Sequence, residues 1–299
     1  MSDTVAYQQL GPEYAVAVKE VEMAAAQALI NPKTIVAKTV DQYQSMLSDS
    51  GYTFWGAFYA GELIGTAGIR HVQPHEAESL RELIGPQRVS IKHHSFRASA
   101  SETSKWRIST QPISLPRPHS DSALPISMMF SLRVHPRRNQ AGVGTNLNIR
   151  RLEGALDDLG VSHVMVDMEA GNGAALAVQK KSASQVGTAL LITGAAHDID
   201  GDNPTPCVTL VHSRSITTAS MNVVHSLPMK DVLGRNAKDI DGEYVDRFHG
   251  LSHALHCGWA AVVSGDQLHI IERPSCFSSP RHQISPTQIV GMLSSKRHG

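Results

Sequence analysis

The sequence predicts an α/β (α+β) protein: strands of one sheet flanked by helices. Three observations predict it. The middle of the chain alternates strand-length apolar runs with helix-period segments over residues 126–182. Two β-rich hairpins, residues 52–72 and 258–274, bracket that region. The 299 residues, 41% apolar and 18% charged, are a globular mix with length enough for a sizeable core.

The elements follow in order. Residues 12–30, rich in Ala, Val and Met, read as a helix stopped by Asn31-Pro32, and residues 40–49 as a second short helix. The first hairpin turns around Ala60-Gly61-Glu62. Residues 73–125 read as a short helix followed by a long, loose insertion dominated by Ser, Pro, His and Arg. "ISMMFSLRV" (126–134) is a buried strand. The glycine loop "HPRRNQAGVGTNL" follows, and then a helix over 144–160 closed by Gly160. A strand at 162–170 leads to a helix over 172–182 that Asn172 is placed to cap. Two late strands, 188–194 and 206–214, flank an acidic loop. Its Asp198, Asp200 and Asp202 alternate as in a calcium site, but the later glutamate such a loop requires is missing, so a solvated turn is the better reading. Residues 226–256 read as helical in pieces. The second hairpin turns at Ser264-Gly265-Asp266, loosely echoing the first, and a short helix precedes a basic terminus.

Composition narrows the function. No apolar run is long enough to cross a bilayer, the first residues lack the basic and apolar regions of a secretory signal, and Cys207, Cys257 and Cys276 form neither a disulfide framework nor a CxxC metal pattern. An intracellular setting, cytoplasmic or nuclear, with no membrane and no metal, is the expectation. Charge is uneven within a net of zero: residues 87–151 carry 11 Lys/Arg against 2 Asp/Glu, and both flanks are acidic. A basic block beside a glycine turn suits a polyphosphate ligand or is simply a solvated loop. Nucleic acid is disfavoured, because only Phe96 and Trp106 supply aromatics to the basic insertion.

The loop has a chemical logic. Gly142 and Gly144 let backbone amides approach a ligand, the helix opening there adds its positive end, and Arg137 and Arg138 add charge. A Walker A loop is excluded by the missing lysine, and a dinucleotide fingerprint by Asn146 and Leu147 where a third glycine would stand.

At these residues the chain resembles the GCN5-related N-acetyltransferase superfamily. The strand ends Val134-His135-Pro136, the loop runs Asn139-Gln140-Ala141-Gly142-Val143-Gly144, and the next strand leads to Asn172 and Ala175 at a helix start. The hairpin "WGAFYAGELIGTAGI" is similar to the family's second and third strands. The resemblance implies a mixed, mainly antiparallel splayed sheet over residues 1–215, interrupted by the 73–125 insertion, with residues 216–299 as a small C-terminal α+β extension. It implies acetyl-CoA as co-substrate and an amine as partner, with oligomeric state open. The backbone of Leu132, Arg133 and Val134 would pair with the pantetheine arm. Amides of Gln140, Ala141, Gly142, Val143, Gly144 and Thr145 would hold the diphosphate. Arg138 would replace the cation lost at Asn139. Asn172 would bond the cofactor arm or cap its helix.

Asp167 and Glu169 share one strand face at i, i+2. They are either the general-base candidates or the outward polar residues of a half-exposed strand. The tyrosine that the family places seven residues after Asn172 is replaced by Gln179, which cannot donate a proton as an acid. Three readings therefore stand: an acetyltransferase, a catalytically degenerate acyl-CoA-binding regulatory module, and nucleic-acid binding through the insertion. "AKDIDGEYVDRFHGLSHALHCGWAAVV" is also similar to the C-terminal half of hookless-type N-acetyltransferases, which would imply a protein-lysine acceptor.

Overall fold

The computed structural model describes residues 4–27, 38–71, 88–91, 108–111, 126–138, 142–158, 161, 163–197, 206–214, 216, 221–234, 242–272 and 284–294. Strand β1 (Ala6–Gln9) leads through a 3-10 turn to helix α1 (Ala15–Gln27). Helix α2 (Val40–Ser48) opens with a capping box. Thr39 Oγ1 accepts from the Gln42 amide at 3.2 Å, and Gln42 Oε1 accepts from the Thr39 amide at 2.8 Å. Strands β2 (Tyr52–Tyr59) and β3 (Glu62–His71) form the expected hairpin. Its turn residues Ala60 and Gly61 have φ of 49° and 81°, the positive pair that a tight two-residue hairpin loop needs.

The 73–125 region differs from the loose insertion expected. Strands β4 (Arg88–Ile91) and β5 (Ile108–Gln111) pair antiparallel within it, four residues each and too short to stand out among the serines. The short helix expected just before lies outside the described residues, as do the Asn31-Pro32 stop, Gly160 and the acidic loop's Asp198, Asp200 and Asp202.

Strand β6 (Ile126–Val134) is followed by helix α3 (Val143–Glu153), which a wider helical turn, Gly154–Asp158, extends. Strand β7 (His163–Glu169) leads to helix α4 (Gly173–Val186). This helix runs past residue 182 because no breaker intervenes until Gly187, whose φ of 73° makes the left-handed C-cap. Strands β8 (Ala189–His197) and β9 (Pro206–Ser213) follow. The tail departs from the helical pieces expected: residues 223–228 form strand β10 (Val223–Pro228). Leu227 pairs across to Leu268, and Pro228 is tolerated because β10 is the last strand of the sheet. Helix α5 (Gly242–His256), strands β11 (Trp259–Ser264) and β12 (Gln267–Glu272) and helix α6 (Pro286–Ser294) complete the order.

All strands but β4 and β5 join a 10-stranded sheet in the order β1-β2-β3-β6-β7-β9-β8-β11-β12-β10. Every described pairing in it is antiparallel except β6 with β7. The sheet is thus the mixed, mainly antiparallel one expected, with helices on both faces. Alternation along the strands separates those faces. Phe54 and Phe130 pack with Val18 and Val21 of α1. Their sequence neighbours point the other way: Ala57 meets Val143 and Leu147 of α3, and Met129 meets Leu152 of α3 and Leu176 of α4. The second hairpin, β11 and β12, is continuous with the sheet through Ala261↔Ile192 and Val262↔Leu191.

Candidate functional site

The parallel pair is where the sheet opens. Residues Ile126–Met129 of β6 register with His163–Val166 of β7, and pairing stops there. Beyond it, Asp167–Glu169 pair only with β9, and the end of β6 pairs only with β3, through Thr66↔Arg133 and Gly65↔Val134. The cause is a bulge. Between the pairs Thr66↔Arg133 and Gly68↔Phe130, Ser131 and Leu132 stand opposite the single Ala67, and Ser131 has a φ of 52°. A bulge bends its strand and re-aims the residues after it. Leu132, Arg133 and Val134 therefore line one wall of a slot between β6 and β7 with a backbone edge that β7 does not cover.

The mouth of that slot carries the glycine loop. Gly142 is left-handed (φ 96°) and N-caps α3 without a side chain, and its carbonyl accepts from the Asn146 amide at 2.8 Å. The amides of Val143, Gly144 and Thr145 belong to the first turn and have no partner within the helix. A Cβ on Gly142 would meet nothing closer than Asn146 Nδ2 at 4.0 Å, so its glycine is required by conformation rather than by packing. Gly144 is different: a Cβ there would sit 3.6 Å from Val134 Cγ2, an ordinary contact. Asn139, Gln140 and Ala141 lie outside the described residues, as does the side chain of Arg138.

Asn172 caps α4, its Oδ1 accepting from the Ala175 amide at 3.0 Å. Of the two roles expected for it, capping is the one on view. Asp167 and Glu169 do share a face, the same face as Met165, which is the α1 side of the sheet. Asp167 reaches solvent, yet enough protein surrounds its carboxyl to push its pKa above the ordinary value. The hydrogen bond from Thr209 Oγ1, at 2.6 Å, opposes that shift.

Two buried clusters flank the bulge that sequence reading did not single out. On the α3 face lies Arg151, 1% exposed. Its Nη1 donates to the Phe130 carbonyl at 2.8 Å, and its Nε and Nη2 donate to Asn148 Oδ1 at 2.9 and 2.6 Å. Asn148 Nδ2 donates to Gln179 Oε1 at 3.1 Å, and His212 Nε2 lies 2.8 Å from the same oxygen. An amide oxygen only accepts, so His212 carries its proton on Nε2, and Nδ1 accepts from Thr188 Oγ1 at 3.2 Å. Burial holds His212 neutral, its pKa lowered to about 3, and lowers that of Arg151 to about 9, in each case with a neighbouring guanidinium adding to the effect. Gln179, standing where the sequence resemblance leads one to expect a tyrosine, is therefore spoken for by this network.

On the α1 face lies Glu22, which is also buried. Thr66 Oγ1 donates to its Oε1 at 3.1 Å, Ser131 Oγ donates to the same oxygen, and Arg133 Nε stands 3.7 Å from Oε2. Burial raises its pKa, against the Ser131 hydrogen bond, the Arg133 charge, the Thr66 hydrogen bond and the Lys38 charge. Tyr43 beside it is pushed up to about 12 by burial and by the Glu22 carboxylate. Gln179 apart, the members of these clusters carry no mark in the sequence, where Glu22 and Arg151 are charged residues within helical segments.

A separate groove of about 550 Å³ lies between α4 and the β12 turn, lined among others by Leu176, Lys180, Met229 and Asp266; it is not the slot. Among the described residues no group of three His, Cys, Asp or Glu could hold a metal, and no helix is long and apolar enough to cross a membrane.

The fold and its opening define a class: a mixed sheet parted at one parallel pair, with a helix N-terminus at the mouth of the gap. No family model matches the sequence, and no curated protein does. Among solved structures, the chain is similar to an acetyltransferase of the GNAT family from Streptococcus pneumoniae, at 13% identity and TM-score 0.43, covering 70% of this chain and 98% of that one. It is similar to Arabidopsis thaliana NAA60 in complex with acetyl-CoA, at 13% identity and TM-score 0.46, covering 71% and 100%. It is also similar to diaminobutyrate acetyltransferase EctA from Paenibacillus lautus, in complex with L-2,4-diaminobutyric acid and coenzyme A, at 10% identity and TM-score 0.43, covering 72% and 98%.

Proposed function

We propose that this protein is an acetyl-CoA-dependent N-acetyltransferase of the GCN5-related superfamily. The observation that carries the reading is the slot. An uncovered strand edge at Leu132–Val134 leads to three first-turn amides of α3, held open by left-handed Gly142. An extended pantetheine arm fits the first as an added strand, and a diphosphate fits the second. The acceptor is an amine, and the short resemblance to hookless-type enzymes makes a peptide lysine the first to try. The intracellular setting, cytoplasmic or nuclear, belongs to the same proposal.

Gln179 supplies no acid, so the departing thiolate takes its proton from the attacking nitrogen or from water. That same feature favours the rival reading, a module that binds acyl-CoA without turning it over. The test has two stages. Calorimetric titration with acetyl-CoA is expected to give binding that Gly142→Glu abolishes, because the new carboxylate would crowd and repel the diphosphate. Release of coenzyme A with a panel of amines, including a lysine peptide, then separates enzyme from module. Wild-type protein that does not bind acetyl-CoA refutes both readings.

A further inference from the structure

The two faces of the slot are not equivalent. The diphosphate cradle belongs to α3, and that face is closed at the bulge by the Arg151 network, whose four residues hydrogen-bond one another, backbone or the Thr188 hydroxyl. The α1 face holds carboxylates instead. Glu22 touches β6 at Ser131, and Asp167 stands on β7 one residue beyond the last paired position, on the same side of the sheet. Met129 registers with Val166, so Asp167 faces Phe130 across the gap, next to Ser131. Glu22 thus reaches the β6 wall at its bulge, and Asp167 stands on the β7 wall on the same side of the sheet. In Glu22, Oε1 already accepts two hydrogen bonds. Among the described residues Oε2 has only the guanidinium of Arg133, at a distance too long for a hydrogen bond.

We propose that Glu22 accepts the proton of the incoming amine, which reaches the thioester through the α1 face of the slot. The proposal rests on the donor reading given above. The amine arrives as an ammonium, drawn by Glu22 and Asp167. One proton passes from nitrogen to Glu22 Oε2, and the freed lone pair forms the bond to the thioester carbonyl carbon. The carbon–sulfur bond then breaks with its electron pair on sulfur. The nitrogen's surplus proton passes to that sulfur, giving amide and thiol, and Glu22 returns its proton to water. A carboxyl raised by burial is a better base than a solvated one. The charged and titratable groups facing it are Arg133 from β6 and Lys38 and Tyr43 from the α2 side. The two cations oppose the rise that burial imposes on the carboxyl, and Tyr43, pushed up to about 12, stays neutral near pH 7.

The test compares two acceptors near neutral pH: hexylamine, an ammonium there, and methoxyamine, already neutral. Glu22→Gln is expected to cut kcat/KM for hexylamine roughly 100-fold while methoxyamine loses far less and acetyl-CoA still binds. Equal losses for both amines mean a structural role and overturn the proposal. So does selective loss in Asp167→Asn instead, or acetyl-CoA binding without turnover of either amine. Failure to bind acetyl-CoA overturns the donor reading itself. Should Glu22→Gln not fold, as far-UV circular dichroism would reveal, Thr66→Val decides. It removes a hydrogen bond that lowers the Glu22 pKa, so the acid limb of the pH profile for hexylamine is expected to move to higher pH. An unmoved limb overturns the proposal.

Discussion

Single side chains fix the bulge from both sides of the sheet. Arg151 reaches out of α3 to the Phe130 carbonyl, and Glu22 reaches out of α1 to the Ser131 hydroxyl. Both are expensive residues to bury, and hydrogen bonds and the neighbouring charge offset that cost. His212 extends the α3 network in neutral form, and this gives a pH dependence with a definite sign. Its folded pKa, about 3, lies below the ordinary 6.5, so its contribution is fully present above 6.5 and is lost as pH falls toward 3. Thermal melts across that interval are expected to show a shallower pH slope for His212→Gln than for wild type; parallel slopes would refute the assignment. None of these residues announces itself in the sequence. Glu22 sits in "VKEVEMAAAQ" and Arg151 in "NIRRLEG", where a charge every few residues looks like a solvated face. Only strands distant in sequence turn those positions inward.

Elements read more easily, where the signal is local chemistry. The positive-φ pair Ala60-Gly61, the capping Asn172 and the left-handed Gly142 were each legible because a turn or cap needs few neighbours. Strand β10 was not legible. "VVHSLP" has a proline and only one fully buried residue, Leu227, and its strand state depends on β12 lying alongside. The slot itself was expected from the resemblance, but its cause, two residues of β6 opposite one of β3, is a register event with no sequence mark. Asn172 gives a prediction at this scale. Asn172→Ala removes the bond to the Ala175 amide and is expected to cost about 1 kcal/mol in denaturant unfolding, the usual worth of an N-cap. If acetyl-CoA affinity falls as well, beyond what unfolding explains, Asn172 also touches the donor.

Across the whole molecule, the core does not respect the boundary that the resemblance suggested near residue 215. Leu152 of α3, Leu176 of α4 and Ile192 of β8 share one buried cluster with Phe248, Leu251 and Leu255 of α5 and with Ile289 and Leu293 of α6. An ion pair ties the halves further, Lys180 to Asp266 at 2.8 Å across from α4 to the second hairpin. Ending the chain at residue 215 would uncover the apolar faces of β8, β9 and α4. Such a fragment is expected to aggregate or to lose its near-ultraviolet circular dichroism, whereas a soluble, cooperatively melting fragment would show that the C-terminal elements are an appendage.

The bulge at Ser131 has a kinetic consequence. Helix α1 holds the left-handed residue itself and α3 holds the Phe130 carbonyl before it, so β6 and β7 are already parted in the folded chain and a visitor need not prise them apart. A molecule entering there would meet a ready-made seat. Its capture rate would rise in proportion to its concentration, with no ceiling imposed by a preceding change of shape.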